Sequence, residues 1–587
     1  MPKIDLQSYP SEGKIFFDWE LINKLIAYLI PYKAYILFSF IVLMIAQVIE
    51  AIIPIYMGQL SQKLLEDSQL FFNLTDSFSF LFFLLVSSYA LESLNIFLRG
   101  KVGQRATLKL RAEVYRHIQQ LPMLFFDKNS VGKLMTRTLH DVDQIHQMFA
   151  ESFVPLVGNL FLFICIFLGI FYVNWAVGIA VLMILPLMMA LINYFRKEQR
   201  SCYDQLRLII SSMNGFVQEN LMGIQIIKNF NLENQERKIF EKMNDDYRDV
   251  YLTSISNFSF FISGIEFLQN LTLITAFVIL AYWMGSHTDF QAGAFFTFSL
   301  YALMIFRPLV DLAERYNTLQ AAMAGASRIF SLLEEPIERA SGHYSLEDIQ
   351  TVEFEDVWFS YKKGQSILKG LSFSLRKGES IALVGITGVG KTTIISLLLR
   401  LYDIQQGKIL INGKEIHSYS LSSLRSCFSM VLQDPILFSG TIAENISLFE
   451  PMSRKNIEAA AGYVNLQSFI KQLPLKIDHL LGERGLGLSA GEMQLVSLAR
   501  AVAHQRSMLI LDEATANIDT VTEGAIQEAL VKILKDKTAL VIAHRLSTIR
   551  HVNRILVLSD GKIVESGTHD ELVRAKGLYE KLYFLQF

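Results

Sequence analysis

The chain has 587 residues, of which 51% are hydrophobic and only 19% charged, and its mean hydropathy is +0.33; this is too apolar for an ordinary soluble protein. Its length suggests three or four structural units, and its net charge of −2 supplies no basic field, which excludes nucleic acid as the main partner. Three cysteines, Cys165, Cys202 and Cys427, lie far apart without CxxC spacing and read as reduced, unpaired thiols rather than metal or redox groups.

No cleavable leader is expected. The first residues carry Asp5, Glu12, Asp18 and Glu20, and the first long apolar run starts only near residue 34. Asp18 to Tyr32 reads as a helix with Leu21, Ile22, Leu25, Ile26 and Leu29 as its apolar positions. It is either an elbow along the inner membrane surface or a plain lead-in to the first span.

Six apolar runs of about 20 residues follow, each long enough to cross ~30 Å of hydrocarbon as a helix. They fall near 34–57, 78–98, 152–173, 175–195, 258–283 and 292–313. Little more than Asn174 separates the third from the fourth, a hairpin turn at the membrane surface. More than 50 residues separate the second from the third and the fourth from the fifth. These connectors are polar and helical in pattern, as in Leu108 to Tyr115, so the spanning helices are expected to run on into water. The first connector holds Arg99, Lys101, Arg105, Lys109, Arg111 and Arg116; the second holds Arg196, Lys197, Arg200 and Arg207. The short connectors carry only Lys63. Positive loops stay in the cytoplasm, so both long connectors and both termini are expected there.

The segment 326–350, with Pro336, reads as a linker. The expected layout is an elbow region (1–33), a six-helix membrane domain (34–325), the linker, and a soluble α/β domain (351–587). Within that last domain Val352 to Trp358 alternates like a strand. Ile381 to Val384, Met508 to Leu511 and Ala539 to Ala543 are short buried strands, and Thr392 to Leu401 is helical. Arg554 to Ser566 reads as a hairpin turned at Asp560-Gly561.

The strand at Ile381 runs into Gly385-Ile386-Thr387-Gly388-Val389-Gly390-Lys391-Thr392, a phosphate-binding loop. Gly385, Gly388 and Gly390 let the backbone turn and approach an anion, Lys391 reaches the β- and γ-phosphates, and the Thr392 hydroxyl ligates Mg²⁺. Asp512 ends an apolar strand as a direct or indirect Mg²⁺ partner, and Glu513 is free to polarise the attacking water. His544 ends another such strand, either as a γ-phosphate contact or as a structural histidine.

With Gln433, Leu488-Ser489-Ala490-Gly491-Glu492 and Leu509-Ile510-Leu511-Asp512-Glu513, these motifs resemble those of the ATP-binding cassette (ABC) exporter half-transporters. Such chains join one six-span domain to one nucleotide-binding domain, and the resemblance runs from the elbow to Phe587. It implies an α-helical membrane domain followed by an α/β P-loop ATPase domain, with ATP and Mg²⁺ as cofactors. It also implies a catalytic set of Glu513, His544, Gln433 and Lys391. Tyr361 is expected to stack on adenine. Thr387, Thr392 and Thr393 are expected to line the phosphates, and Gln433 and Asp512 to meet Mg²⁺ together with Thr392. Ser489 and Gly491 should face the nucleotide held by a second subunit, and Asp519, in Ala516-Asn517-Ile518-Asp519, should communicate between the two ATP sites. Gly482-Glu483-Arg484-Gly485 looks like a coupling loop. Phe125-Phe126-Asp127 through Gly132 to Arg137 and Asp141 is similar to one coupling-helix region, and Gly223 to Glu233 to the other.

The chain departs from the family at one place. The family signature reads Leu-Ser-Gly-Gly-Gln, whereas this chain has Ala490 and Glu492. Ala490 adds a methyl where backbone should approach closely. Glu492 puts a carboxylate near an anion, which is unfavourable unless it is neutralised or turned away. A complete catalytic half with a weakened signature resembles one member of the bacterial heterodimeric multidrug exporters, so a heterodimer is expected over a homodimer. The cargo is expected to be hydrophobic or amphipathic, a drug-like molecule or a lipid. Phe258, Phe260, Phe261, Phe267, Phe295, Phe296, Phe298 and Phe306 either line a greasy pocket or face lipid and neighbouring helices. Glu50, Glu92 and Glu266 suit a cationic cargo or else bridge to Gln47, Gln269 or Asn270. A homodimeric lipid flippase and an ATP-gated channel on the same fold are the alternatives. The expected location is the bacterial cytoplasmic membrane, as a multi-pass protein.

Overall fold

A computed structural model describes residues 19–66, 74–286, 292–338, 342–362, 364–482, 485–512, 520–542 and 549–586. The chain divides into two compact units. One comprises Met1–Gln119 with Ser130–Glu335, the other Gln120–Asn129 with Pro336–Phe587.

The first unit is helical. The segment ahead of the first apolar run forms α1 (Trp19–Leu29) and a 3-10 turn, Ile30–Tyr32. Then come α2 (Lys33–Glu66), α3 (Leu74–Gln119), α4 (Met123–Lys128, assigned to the second unit), α5 (Val131–Thr136) and α6 (Val142–Gln147). They are followed by α7 (Phe153–Val173), α8 (Trp175–Met222), α9 (Ile224–Phe230), α10 (Glu233–Ser286), α11 (Ala292–Met304) and α12 (Arg307–Leu333). Among the described residues, six stretches are long and apolar enough to span a bilayer. At 1.5 Å per residue, the 46-residue α3 and the 48-residue α8 are each about 70 Å long, more than twice the hydrocarbon thickness, so each extends well past its apolar run.

Asn174 alone joins α7 to α8. Its side-chain oxygen accepts the Ala176 and Val177 N–H groups at 3.0 and 3.3 Å, an N-cap that lets one residue reverse the chain. The sixth span is not one helix. It breaks at Ile305–Phe306 between α11 and α12, because Pro308 has no N–H for the Met304 carbonyl. Helix α12 then continues to Leu333.

Polar contacts pin the apolar helices to one another. Tyr301 Oη donates to the Ala51 carbonyl at 2.7 Å, Asn95 Nδ2 to the Ser39 carbonyl at 2.6 Å, and Gln199 Nε2 to Ser254 Oγ at 2.6 Å. The Arg328 guanidinium clasps Asp141 through both carboxylate oxygens, at 2.9 and 2.7 Å, tying α12 to a π-helical turn, Arg137–Asp141. Some of the phenylalanines pack on neighbouring helices. Phe261, Phe298 and Phe306 are buried, Phe261 stacking on Phe195 at 4.0 Å, while Phe258, Phe260, Phe267 and Phe296 are exposed. Among the described residues, Glu50, Glu92 and Glu266 make no hydrogen bond or ion pair to Gln47, Gln269 or Asn270. Gln269 instead donates to the Leu303 carbonyl at 3.4 Å.

The second unit is α/β. An antiparallel sheet has the order β2 (Leu368–Arg376), β1 (Thr351–Phe359), β4 (Gln406–Ile411), β5 (Lys414–Glu415). A six-stranded sheet has the order β12 (Lys562–Gly567), β11 (Arg554–Ser559), β3 (Ser380–Val384), β10 (Thr538–Ile542), β9 (Met508–Asp512), β6 (Phe428–Val431). All but β12 run parallel. A short ribbon pairs β7 (Gly440–Thr441) with β8 (Leu480–Leu481). Among the described residues, the helices are α13 (Lys391–Leu398), α14 (Leu421–Ser426), α15 (Ile442–Ser447), α16 (Arg454–Tyr463), α17 (Gln467–Ile470), α18 (Ala490–Ala503) and α19 (Thr520–Asp536), with two more near the C-terminus. Ile394, Leu397 and Leu398 of α13 pack into one core with both sheets; α15 to α19 build a second core on the other face. The expected hairpin turn is present, with Asp560 and Gly561 at φ 47° and 76°, values that the Asp-Gly pair tolerates.

Candidate active site

In a parallel sheet, ligands sit beyond the carboxyl ends of the strands. Here β3, β10, β9 and β6 end side by side. Leu383 and Asp512 both pair with Ile542, and Val431 pairs with Leu511. The phosphate loop leaves β3 at Gly385. A Cβ there would lie 2.5 Å from the Leu558 carbonyl of β11, so only glycine fits. Gly388 and Gly390 have φ of 86° and 104°, the left-handed region open to glycine. Gly390 is also the N-cap of α13 and offers no side chain to its first turn, so the N–H groups there stay available to an anion.

Lys391 folds back over the loop. Its Nζ donates to the Gly385 and Ile386 carbonyls at 2.7 and 3.0 Å. Burial holds its pKa below the usual lysine range, and the Asp512 carboxylate pulls the other way. Thr392 is exposed on the first turn, Thr393 is buried, and Thr387 is exposed in the loop. Asp512 is the buried last residue of β9, and Gln433 is exposed two residues beyond β6, at the same edge. Glu513, Asp519 and His544 lie outside the described residues, as do Ala516, Asn517, Ile518, Glu483 and Arg484.

Tyr361 is 40% exposed and its Oη lies 3.3 Å from Thr393 Oγ1. Its ring meets Phe359 and Tyr402 edge-on, at 4.9 and 5.1 Å. Tyr402 is a residue that sequence reasoning missed. Its Oη donates to Asp127 Oδ2 at 2.6 Å, and burial with that bond raises its pKa. Thr393, Tyr361, Tyr402 and Asp127 thus form one contact chain from the first turn of α13 to the 120–129 segment. No spacing rule joins residue 127 to residue 402.

The start of α18 is built differently. Ser489 is its N-cap: Ser489 Oγ accepts the Glu492 N–H at 3.3 Å, and Glu492 Oε2 accepts the Ser489 N–H at 2.7 Å. The pair is a reciprocal capping box. Gly491 is buried and Ala490 is exposed. The Glu492 carboxylate is therefore turned back onto its own helix, one of the two ways in which its charge can be accommodated. The charge nonetheless remains at the helix's positive end.

Residues 36–309 match the family described as ABC transporter transmembrane region, and residues 368–516 the one described as ABC transporter. A Bacillus subtilis protein called probable multidrug resistance ABC transporter ATP-binding/permease protein YheH is 37% identical over 82% of this chain and 72% of its own length. The chain belongs to the ABC transporter family. An ATP-dependent lipid A-core flippase of Syntrophus aciditrophicus is 36% identical over 83% of this chain and 81% of its own. A solved bacterial Atm1-family ABC exporter with ATP bound superposes with a TM-score of 0.74 at 26% identity, covering 94% of this chain and 98% of that one. This ABC exporter is a multi-pass membrane protein that binds nucleotide and hydrolyses ATP to drive export.

Proposed function

We propose that the chain is one half of a dimeric exporter that clasps ATP at the seam between two subunits. The observation that carries this reading is the open amino end of α13, with Lys391 folded over it and Asp512 beside it. In this reading the N–H groups from Gly388 to Thr392 bind phosphate, with Thr387 and Thr393 lining the loop, and Lys391 balances the charge. Tyr361 packs on adenine. Glu513 takes the proton of the attacking water, and His544 holds the γ-phosphate side. The Thr392 hydroxyl, the Asp512 carboxylate and the Gln433 amide are the hard oxygen donors that suit Mg²⁺. Mg²⁺, when bound, neutralises charge on the phosphates. Ser489 and Gly491 face the nucleotide of the other subunit, and Asp519 links the two sites. ATP favours the closed dimer over the open one, and that difference in affinity turns the cavity outward; hydrolysis resets it.

The proposed layout keeps the elbow at 1–33, the six-helix domain at 34–325, the linker at 326–350 and the ATPase domain at 351–587. Both termini lie in the cytoplasm, supported by the basic connectors after the second and fourth spans. The cargo is a hydrophobic or amphipathic molecule, supported by the names of the multidrug and lipid A relatives. A cationic head would suit Glu50, Glu92 and Glu266. Neutralising these three singly should reduce transport of a cationic amphipath; unchanged transport would remove that assignment.

The partner is a second half-transporter with an intact signature. The Glu492 charge at the amino end of α18 supports this, since it weakens the site offered to the partner's γ-phosphate. The capping box also supports a second reading, a homodimeric flippase in which the turned-back carboxylate is tolerated. Purifying the chain expressed alone separates the two. Weak hydrolysis is expected from the isolated chain. Robust, substrate-stimulated ATPase would establish the homodimer instead.

A further inference from the structure

Within the first unit, a cavity of about 230 Å³ lies where α1 meets α2, α3, α7 and α12. Leu25, Ile26 and Leu29 of α1, Val102 of α3, Phe149 and Leu319 give it an almost wholly apolar wall. An apolar cavity of ~150 Å³ already excludes water and takes hydrocarbon, so this larger one is a hydrocarbon site rather than a water site.

The one charged group in the lining is Arg99. Its Nη1 donates to the Ala150 carbonyl at 2.8 Å, and its Nε is buried with no hydrogen-bond partner. Arg315, on α12, donates to the next carbonyl, Glu151, and its Nε is buried and unpartnered too. Both carbonyls belong to a π-helical turn, Met148–Ser152, where the regular helical pattern is interrupted. Among the described residues no carboxylate forms an ion pair with either guanidinium, and the Glu151 and Glu92 carboxylates act on Arg99 only at longer range. The Arg99 guanidinium at the cavity wall, with Arg315 anchored on the adjacent carbonyl, supplies the positive charge and N–H donors that suit a phosphate. Arg99 directly follows the second apolar run. Beside it, Lys101 lies over the Tyr35 and Phe97 rings at 5.9 Å each, the mix of basic and aromatic groups found at a lipid headgroup layer.

We propose that this cavity holds one acyl chain of an anionic phospholipid whose phosphate lies against Arg99 and Arg315. Residues of both α1 and α12 wall the cavity, so a resident lipid would tie α1 to the second half of the sixth span. Placing that lipid in the inner leaflet rests on the orientation proposed above; its binding does not.

The test uses the full chain reconstituted in phosphatidylcholine vesicles. These contain a small fraction of phosphatidylglycerol bearing a mid-chain diazirine or, in parallel, phosphatidylcholine bearing the same group. After illumination, adducts are mapped by mass spectrometry. The phosphatidylglycerol probe should label the α1 and α12 peptides about tenfold more than the phosphatidylcholine probe, the factor expected from a charge-assisted hydrogen bond. Val102→Trp should abolish labelling by filling the cavity, and Arg99→Gln with Arg315→Gln should abolish the preference. Arg99→Lys should retain part of it, which guards against a variant that merely misfolds. Equal labelling by both probes in the native chain would overturn the proposal. So would labelling insensitive to Val102→Trp, or cross-linking of residues 1–18 into the cavity in place of lipid. ATP hydrolysis measured on the same vesicles reports separately on the nucleotide reading.

Discussion

Two helices of the nucleotide unit begin at motifs that the family uses for phosphate, and they begin in opposite ways. Helix α13 starts at Gly390, which leaves its N–H groups uncapped behind the folded-back Lys391. Helix α18 starts at Ser489 with its first turn filled by the Glu492 carboxylate. Both amino ends carry the same partial positive charge. One has no side chain over its first turn, and the other already has an anion of its own. The contrast lies in the cap: a glycine leaves the first-turn N–H groups of α13 without a side-chain partner, and a Ser-x-x-Glu box engages those of α18. It also gives a physical form to the asymmetry proposed here, a strong site on this subunit and a weak one offered to its partner.

The largest effect is expected at the catalytic carboxylate. Glu513→Gln should cut hydrolysis by about 10²- to 10⁴-fold while ATP-dependent closure survives, as read from turnover alongside nucleotide binding. Undiminished hydrolysis would remove Glu513 from its role. Lys391→Ala attacks the open end itself. Hydrolysis should fall on the order of 10²- to 10³-fold, with weakened ATP binding by equilibrium titration. Tyr361→Ala should raise the KM for ATP about 2- to 12-fold with little change in kcat, and Tyr361→Trp should restore it. Glu492→Gln acts on the filled end, and glutamine can keep the capping box. Removing the charge should therefore raise ATPase about 2- to 5-fold without loss of thermal stability. An unchanged rate would mean that the carboxylate is screened and the two ends are equivalent.

The phosphate loop was legible because its function is written in the backbone. Glycines at 385, 388 and 390 announce a tight approach to an anion, and the strand before them is a run of buried aliphatics. The spans were legible because hydrocarbon thickness fixes their length. The break at Ile305–Phe306 was masked by an unbroken apolar run, although Pro308 carried the signal. The capping of Ser489 by Glu492 was spelled out in the Ser-x-x-Glu spacing, but the family signature drew attention to charge rather than to the cap. The Tyr402–Asp127 bond and the Asp141–Arg328 pair join residues 275 and 187 positions apart, and no local pattern encodes such partners.

The most direct measurement is the mass of the detergent-solubilised protein followed together with its ATPase rate per chain as it is diluted. Hydrolysis should travel with a two-chain species, whether two copies or this chain with a second half-transporter, and fade as that species dissociates. A strictly monomeric fraction hydrolysing ATP at full rate would contradict the shared-seam account.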